Sequence, residues 1–317
     1  MRMVGLSFSI QISQRNLTGN PFMNPVVVIE KPSELDALVR QLSTARHLAV
    51  DTESNSFYAY FDRVCLIQIS SPERDYIIDP LSLKDLSVLG RLFENPRIEK
   101  VLHAASNDVL GLRRDFQFRF NGLFDTAIAC KLLGYKQLGL SKILETHFGV
   151  SLNKRWQRYD WGKRPLVPDQ LDYARLDTHY LIALRHMLAA DLQSRELWAE
   201  ACEAFEKASE QQVPEKTFHP RGFLQINGAR SLDAAGKSIL KALYMFREKE
   251  ARRRDRAPFR IMSNEALLRL ADARPDSVDE ISRIKGLPRS FHDPKAASFL
   301  IEIIRQNNNS NDTEARE

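Results

Sequence analysis

Two carboxylates stand at the end of a short apolar run, in the stretch Leu48-Ala49-Val50-Asp51-Thr52-Glu53. The run predicts a β-strand, and residues two apart in a strand share a face, so Asp51 and Glu53 would point together at the strand's end. Two adjacent anions repel each other unless a cation lies between them. The pair is therefore a candidate cation site, although an isolated Asp-x-Glu is also typical of a strand that ends in a solvated turn.

Two further carboxylates and a tyrosine follow along the chain. Asp108 comes just after a short strand predicted at residues 100–103, where it could instead be a helix-start residue favoured by the helix dipole. Asp177 lies in a helical pattern that opens at Pro168, and Tyr173 shares its face four residues earlier. The alternative is a half-buried Tyr173 beside a surface Asp177. Clustered carboxylates suit Mg²⁺ or Mn²⁺, and two such ions about 4 Å apart can activate water against a phosphodiester.

The elements that must position these residues alternate between strands and helices. Strands are predicted at residues 25–30, 47–51, 64–70, 75–79 and 100–103. The short connection between the third and fourth indicates antiparallel pairing, so we expect a mixed sheet. Helices then follow in the manner of an α/β layer arrangement, with Asp125 as the cap of one of them rather than a catalyst.

Aromatic and basic side chains near these acids are candidates for substrate binding. The loop 154–166 holds five cations among aromatic residues, and residues 57–61 read Phe-Tyr-Ala-Tyr-Phe. Such combinations can grip phosphates and stack bases, but they could equally be packed loops with solvated charges. The candidate substrate-binding residues are Phe57, Tyr58, His103, Trp161 and Arg164. For His103 a hydrogen-bonded structural role is the alternative, and for Trp161 a place in the core.

Composition permits a nucleic-acid partner without specifying one. The 317 residues are 43% hydrophobic and carry a formal charge of +5. No apolar run approaches the roughly 18 residues of a membrane helix. Three widely spaced cysteines without a Cys-x-x-Cys pair favour buried thiols in a reducing cytosol over disulfides or a zinc site.

In their order, these pieces closely resemble the DEDDy family of 3′-to-5′ exonucleases, and within it the ribonuclease D type. The resemblance covers about residues 25–200. It is carried by Val50-Asp51-Thr52-Glu53 leading to Cys65-Leu66-Ile67-Gln68-Ile69, by Val101-Leu102-His103 followed by Asp108, by Asp160-Trp161 with Arg164-Pro165-Leu166, and by Tyr173-Ala174-Arg175-Leu176-Asp177.

The resemblance implies a ribonuclease-H-like α/β fold, a mixed sheet flanked by helices, and two divalent metal ions, Mg²⁺ or Mn²⁺. It implies that Asp51, Glu53 and Asp177 hold one ion with the attacking water, and that Asp51 bridges to the second. Asp108 would complete the acidic cluster through water, and Tyr173 would orient the nucleophile. A free tyrosine has a pKa of about 10, so at neutral pH it donates a hydrogen bond more readily than it acts as a base.

The C-terminal part is helical and resembles an HRDC domain, the helicase-and-RNase-D C-terminal module. Its carriers include Leu240-Lys241-Ala242-Leu243-Tyr244, Pro258-Phe259-Arg260-Ile261-Met262-Ser263 and Ile284-Lys285-Gly286. Residues 230–305 hold 17 Lys or Arg against 11 Asp or Glu, a surplus of 6 that suits contact with RNA. A solvated helix face of mixed charge is the alternative.

The domain organisation expected from these patterns has five parts. They are a disordered leader at 1–24, the exonuclease domain at 25–200, a linker at 201–229, an all-α HRDC domain at 230–306, and a disordered tail at 307–317. The tail is too polar to fold.

The expected function is a metal-dependent 3′-5′ exoribonuclease that trims tRNA precursors and other small structured RNAs from a free 3′-hydroxyl end. It would release nucleoside 5′-monophosphates. The tRNA assignment rests on the resemblance alone. The alternatives are a DNA exonuclease with the same acids and a non-catalytic RNA-binding adaptor. We further expect a cytoplasmic monomer without membrane contact.

Overall fold

The computed structural model describes residues 24–214 and 217–308. The predicted leader, except for Asn24, and the tail from residue 309 lie outside the described residues. No helix in the described ranges is long and apolar enough to cross a membrane.

Strands and helices of the first two thirds of the chain alternate as an α/β pattern. In chain order they are β1 (Val27–Ile29), α1 (Pro32–Leu42), β2 (His47–Ser54), β3 (Val64–Ser70), β4 (Asp75–Ile78), α2 (Ser87–Glu94), β5 (Glu99–Leu102), α3 (Ser106–Phe116), β6 (Leu123–Asp125), α4 (Thr126–Leu132), α5 (Leu140–Phe148), α6 (Pro168–His179), α7 (Leu181–Ser194) and α8 (Trp198–Ser209).

The six strands form one mixed sheet in the order β1-β4-β3-β2-β5-β6. Strands β3 and β4 pair antiparallel, whereas β1 with β4, β2 with β5, and β5 with β6 pair parallel. The mixed sheet predicted from the short connection between β3 and β4 is thus confirmed. Parallel pairing of β2 and β5 brings the ends of these two strands, and the acidic residues that follow them, to one edge of the sheet.

The centre of the α/β unit is a continuous apolar core. Ala49, Val101 and Phe124 come from the neighbouring strands β2, β5 and β6, and all three are completely buried. Helices α4, α5, α7 and α8 contribute the remaining side chains of this cluster. A strand that is buried on both faces needs consecutive apolar residues. This explains the unbroken apolar run Leu48 to Val50 before the acids.

The chain divides into two compact units, and the first extends further along the chain than predicted. Of the described residues, the α/β unit comprises 24–53, 65–157 and 163–212. Helix α8 belongs to it, because Ala201 and Phe205 are buried and the Phe205 ring lies 4.6 Å from that of Phe124. The predicted linker therefore does not begin at residue 201. The apolar positions 201 and 205, one helical turn apart, were hidden among charged neighbours.

The second, helical unit comprises the described residues 54–64, 158–162, 213–214 and 217–308. Its helices are α9 (Ala234–Arg254), α10 (Pro258–Ile261), α11 (Asn264–Ala273), α12 (Val278–Arg283) and α13 (Pro294–Asn308). Helix α9 packs against α11 and α13. Ser263 and Ser277 cap α11 and α12 by accepting hydrogen bonds from backbone amides. Helix α13 continues to Asn308, so the predicted boundary at residue 306 is two residues short.

Residues 54–64, which we call the strap, are held firmly within the helical unit. The amide of Ala257 donates a 3.0 Å hydrogen bond to the carbonyl of Tyr58. Asp255 accepts hydrogen bonds from the amides of Tyr60 and Phe61, at 3.1 and 2.9 Å. The Tyr60 side chain packs on the helical core, so much of the aromatic run serves packing.

Candidate active site

Three carboxylates of the α/β unit converge at the end of β2. Asp51 and Glu53 extend from β2, and Asp177 lies in α6, close to its C-terminal end. One oxygen from each of these carboxylates lies within 4.8 Å of the others. The strand alternation thus places Asp51 and Glu53 together as predicted, and α6 adds a third acid from 124 or more positions away in the sequence.

The fourth carboxylate, Asp108, is buried in the first turn of α3. Its Oδ1 accepts a 2.5 Å hydrogen bond from the hydroxyl of Thr52, the residue between the two acids of β2. It lies outside the group of three, but it is close enough for its charge to raise the pKa values of Asp51, Glu53 and Asp177. The four acids therefore act as one electrostatic cluster.

Burial and mutual repulsion make this cluster hard to ionise. Burial is the largest cause, and it raises the pKa values of Asp51 and Glu53 well above the usual range, with neighbouring carboxylates adding to the rise. The same causes raise the pKa of Asp177 to about 7. For Asp108 burial raises the pKa to about 6, although the hydrogen bond from Thr52 opposes the rise.

Tyr173 lies on α6, one turn before Asp177. Its pKa is raised by burial and then by the charges of Asp177, Glu53 and Asp51, so all three converging acids act on its hydroxyl. The group therefore stays protonated at any physiological pH and can donate a hydrogen bond.

The helix α6 is fixed by a buried polar network that sequence reasoning missed. Asp75, at the start of β4, accepts a hydrogen bond from the Ser70 hydroxyl at 2.7 Å and lies 2.9 Å from Nδ1 of His179. The Ser70 hydroxyl is also 2.7 Å from that of Thr178. Burial alone would raise the pKa of Asp75, but the hydrogen bonds from His179 and Ser70 lower it below the usual value. Thr178 and His179 directly follow Asp177, so these contacts set the rotation of α6.

The donor set fits a hard divalent cation. Three carboxylates with oxygens within 4.8 Å of one another can converge on a single ion, and oxygen ligands are those that Mg²⁺ and Mn²⁺ prefer. The pKa values are raised because the acids are buried and lie close together without a cation. A bound positive charge would favour their ionised forms and so lower these pKa values.

A family model described as 3′-5′ exonuclease matches residues 26–193, more than half of the chain. The chain belongs to this 3′-5′ exonuclease family. An HRDC domain model matches residues 237–304 in addition. The expected α/β exonuclease fold followed by a helical HRDC domain is thereby confirmed.

Solved and curated relatives of this exonuclease match most of its length. The catalytic core of RRP6 from Trypanosoma brucei matches with a TM-score of 0.82 at 27% identity, over 90% of this chain and 81% of that one. RNase D from Escherichia coli matches with a TM-score of 0.68 at 25% identity, over 91% and 76%. Exosome complex exonuclease RRP6 from Saccharomyces cerevisiae is 32% identical over 87% of this chain and 40% of its own. The chain therefore spans well under half the length of this curated relative.

Of the expected substrate-binding residues of this exonuclease, three lie in the helical unit. Phe57 is 47% exposed. The Tyr58 hydroxyl donates to the carbonyl of Arg158 at 2.8 Å, and its ring lies 3.7 Å below the guanidinium of Arg260. Trp161 is only 1% exposed, so its ring offers no face to a base, and the core-filling alternative is correct for this residue.

The other two expected substrate-binding residues lie in the α/β unit and make structural contacts. Arg164 forms a two-pronged ion pair with Asp79, at 2.6 and 2.8 Å, and donates to the carbonyl of Cys65. His103 is largely buried, with Nδ1 2.9 Å from the hydroxyl of Thr126. Burial lowers the pKa of His103, which favours the neutral ring. The geometry therefore supports the hydrogen-bonded structural alternative for His103.

Proposed function

We propose that this protein is a metal-dependent 3′-5′ exoribonuclease of the ribonuclease D type. It trims the 3′ ends of tRNA precursors and other small structured RNAs and releases nucleoside 5′-monophosphates. The observation that carries the proposal is the convergence of Asp51, Glu53 and Asp177 in a partly buried cluster, with the buried Asp108 beside it. A buried group of like charges is unfavourable for folding, so its presence indicates a cation-dependent task.

The relatives support RNA as the substrate class. The yeast relative is named an exosome complex exonuclease, and the Escherichia coli structure is described as an exoribonuclease involved in structured RNA processing. The charge surplus of the helical part agrees with an anionic polymer as substrate. The choice of tRNA precursors rests on the family resemblance. The cytoplasmic location and the monomeric state stay predictions.

Two divalent ions, Mg²⁺ or Mn²⁺, are proposed as cofactors. Asp51, Glu53 and Asp177 would hold one, Asp51 would be shared with the second, and Asp108 would complete the negative cluster. When bound, such ions lower the pKa of water and neutralise charge on the phosphodiester. The proposal agrees with the donor chemistry of the site, in which hard oxygen atoms are the nearest groups.

Side chains of the protein itself orient the reacting groups. Tyr173, which stays protonated, donates a hydrogen bond that orients the attacking water in line with the scissile bond. The water oxygen bonds to the phosphorus of the last phosphodiester and gives up a proton to solvent. The bond from phosphorus to the 3′ oxygen breaks, and that oxygen takes up a proton. Thr52 holds Asp108 in place throughout.

The test is degradation of a 5′-labelled single-stranded RNA beside the DNA of the same sequence. The reactions contain Mg²⁺, Mn²⁺ or a chelator, and compare the wild type with Asp51→Asn. Asp36→Asn is the matched control, because Asp36 is an exposed acid on α1 of the same unit.

We expect a metal-dependent ladder that shortens from the 3′ end, is faster on RNA, and is lost only with Asp51→Asn. Equal or faster loss of DNA would make the protein a DNA exonuclease. Folded protein that binds RNA but degrades neither strand with either metal would make it a non-catalytic adaptor.

A further inference from the structure

The helical unit contains a cavity of about 440 Å³ that the exonuclease chemistry does not use. Its walls come from the strap, from residues 217–225, from α9 and from the start of α10. Ligand pockets in proteins commonly range from about 300 to 1,000 Å³, so the cavity is large enough for a nucleobase and its sugar.

Aromatic rings dominate the walls of the cavity. Phe218 and Tyr244 stack with their ring centroids 5.3 Å apart and their planes 23° from parallel. Phe259 lines the same cavity and is 52% exposed, so one face of its ring is open to a ligand. At Gly222 a Cβ atom would lie 2.5 Å from the Tyr244 hydroxyl oxygen, and the missing side chain therefore lets Tyr244 reach the cavity floor.

The carboxylate of Glu248, one of two that line the cavity, gives it a hydrogen-bond acceptor. Oε1 of Glu248 accepts a hydrogen bond from the hydroxyl of Tyr60, and both residues line the cavity. Burial and the neighbouring carboxylate raise the pKa of Tyr60 to about 12, so the tyrosine remains the donor. Within the described ranges no group hydrogen-bonds the second oxygen of Glu248, which is thus able to accept from an N–H group of a ligand.

Arginines accompany the aromatic wall. The guanidinium of Arg260 lies 5.8 Å from the Phe259 ring centroid and 3.7 Å from that of Tyr58. The positive charge of Arg252 is close enough to lower the pKa of Tyr60, against the larger effects that raise it. Aromatic faces flanked by cations are the combination by which proteins bind unpaired nucleotides, the rings stacking on bases and the cations pairing with phosphates.

We propose that this cavity binds an unpaired purine base of an RNA, stacked on Phe259 and hydrogen-bonded through an N–H group to Glu248. The carboxylate disfavours a phosphate inside the cavity, whereas an adenine or guanine edge presents N–H donors to it. A purine is preferred over a pyrimidine because its two fused rings cover more of the aromatic wall. The choice of RNA rests on the proposed function.

The test measures RNA binding by the full-length protein in chelator, where no turnover occurs. Phe259→Ala is compared with Phe299→Ala, since Phe299 is equally exposed at 53% on the same unit but does not line the cavity. The probes are labelled oligo(A) and oligo(U), and an oligo(A) that carries one 2-aminopurine. We expect Phe259→Ala to weaken oligo(A) binding about fivefold or more and to abolish the stacking-dependent quenching of 2-aminopurine. Phe299→Ala should leave both unchanged.

A second variant tests the cavity without disturbing its fold. Glu248→Gln keeps an acceptor for the Tyr60 hydroxyl, so it should leave the melting temperature unchanged while it reduces the preference for oligo(A) over oligo(U). Equal binding by Phe259→Ala and Phe299→Ala, or no difference between the two oligonucleotides, would overturn the proposal. So would cavity variants that bind RNA normally but lose binding of spermidine, which would make the cavity a cation site.

The two proposals fail separately. RNA binding that depends on Phe259 in a protein without nuclease activity would leave the cavity proposal standing and overturn the proposed function. Metal-dependent RNA degradation, together with RNA binding that does not depend on Phe259, would support the proposed function and overturn the cavity proposal.

Discussion

Thr52 and Asp108 are 56 positions apart in the sequence and are joined by a hydrogen bond of 2.5 Å. Thr52 stands between Asp51 and Glu53 in β2, and Asp108 opens α3. The residue that separates two acids of the cluster thus fixes the fourth, Asp108. This bond also lowers the pKa of Asp108 against the effect of burial, which raises it.

The first prediction concerns this bond. Thr52→Val keeps the shape of the side chain but removes the donor, so the pKa of Asp108 should rise and the acid limb of the activity profile should move to higher pH. We expect the rate at neutral pH to fall about tenfold, in line with about 1.5 kcal/mol for a hydrogen bond to a charged group. Thr52→Ser retains the hydroxyl and is the control. An identical pH profile for both variants would contradict the role of the bond.

The second prediction concerns stability against pH without metal. The folded-state pKa values of Asp108, about 6, and Asp177, about 7, lie above the value near 4 of an unfolded chain. The folded protein therefore binds these protons more tightly, and the contribution to stability is fully present below pH 4. It is lost as the pH rises to about 7. In chelator, the melting temperature should fall between pH 5 and 8 more steeply than in Mg²⁺.

The matched variant for this prediction is Asp177→Asn, which removes one charge from the cluster. In chelator at pH 8 it should melt at a higher temperature than the wild type, because repulsion among buried carboxylates is reduced. At pH 5 the difference should shrink, since the wild-type carboxyl is then protonated. A melting temperature independent of metal and pH in both proteins would show that the acids are not held together as described.

The third prediction concerns Tyr173. Tyr173→Phe removes the hydroxyl that we propose orients the water, and we expect kcat to fall about ten- to a hundredfold with little change in the Mg²⁺ concentration at half-maximal rate. Because burial raises the pKa of Tyr173 above its usual value, the wild type should show no loss of activity from tyrosine ionisation between pH 7 and 9. A large shift in metal dependence would instead make Tyr173 a support of the metal site.

The fourth prediction separates structure from substrate contact in the basic loop. Arg164→Ala leaves Asp79, which is 2% exposed, without its ion-pair partner, with hydrogen bonds from Leu81 and Ser82 remaining. It should lower the free energy of unfolding by about 3 kcal/mol in a urea titration. RNA affinity of the folded fraction in chelator should not change. Arg155→Ala is the contrasting variant, because Arg155 is exposed over the Trp156 ring at 4.7 Å. It should weaken RNA binding without loss of stability.

Side-chain pairs and helix caps could be predicted from the sequence because each depends on only a few neighbouring residues. The alternation of a strand put Asp51 beside Glu53, and the period of a helix put Tyr173 one turn from Asp177. Asp125 and Ser263 cap helices by accepting hydrogen bonds from backbone amides two or three residues later, so these caps depend on the local sequence alone. These features needed no knowledge of the rest of the chain.

The sequence by itself indicated the family, the pairing of Asp51 with Glu53 and of Tyr173 with Asp177, and five of the six strands. Only the tertiary structure decided that Trp161 is core, that Arg164 serves Asp79, and that the strap belongs to the helical unit. It also revealed that Asp75 fixes the helix of Asp177 through His179, across 104 positions. Such contacts join segments far apart in sequence, so they depend on which surfaces the folded chain brings together, and no local pattern of residues records that outcome.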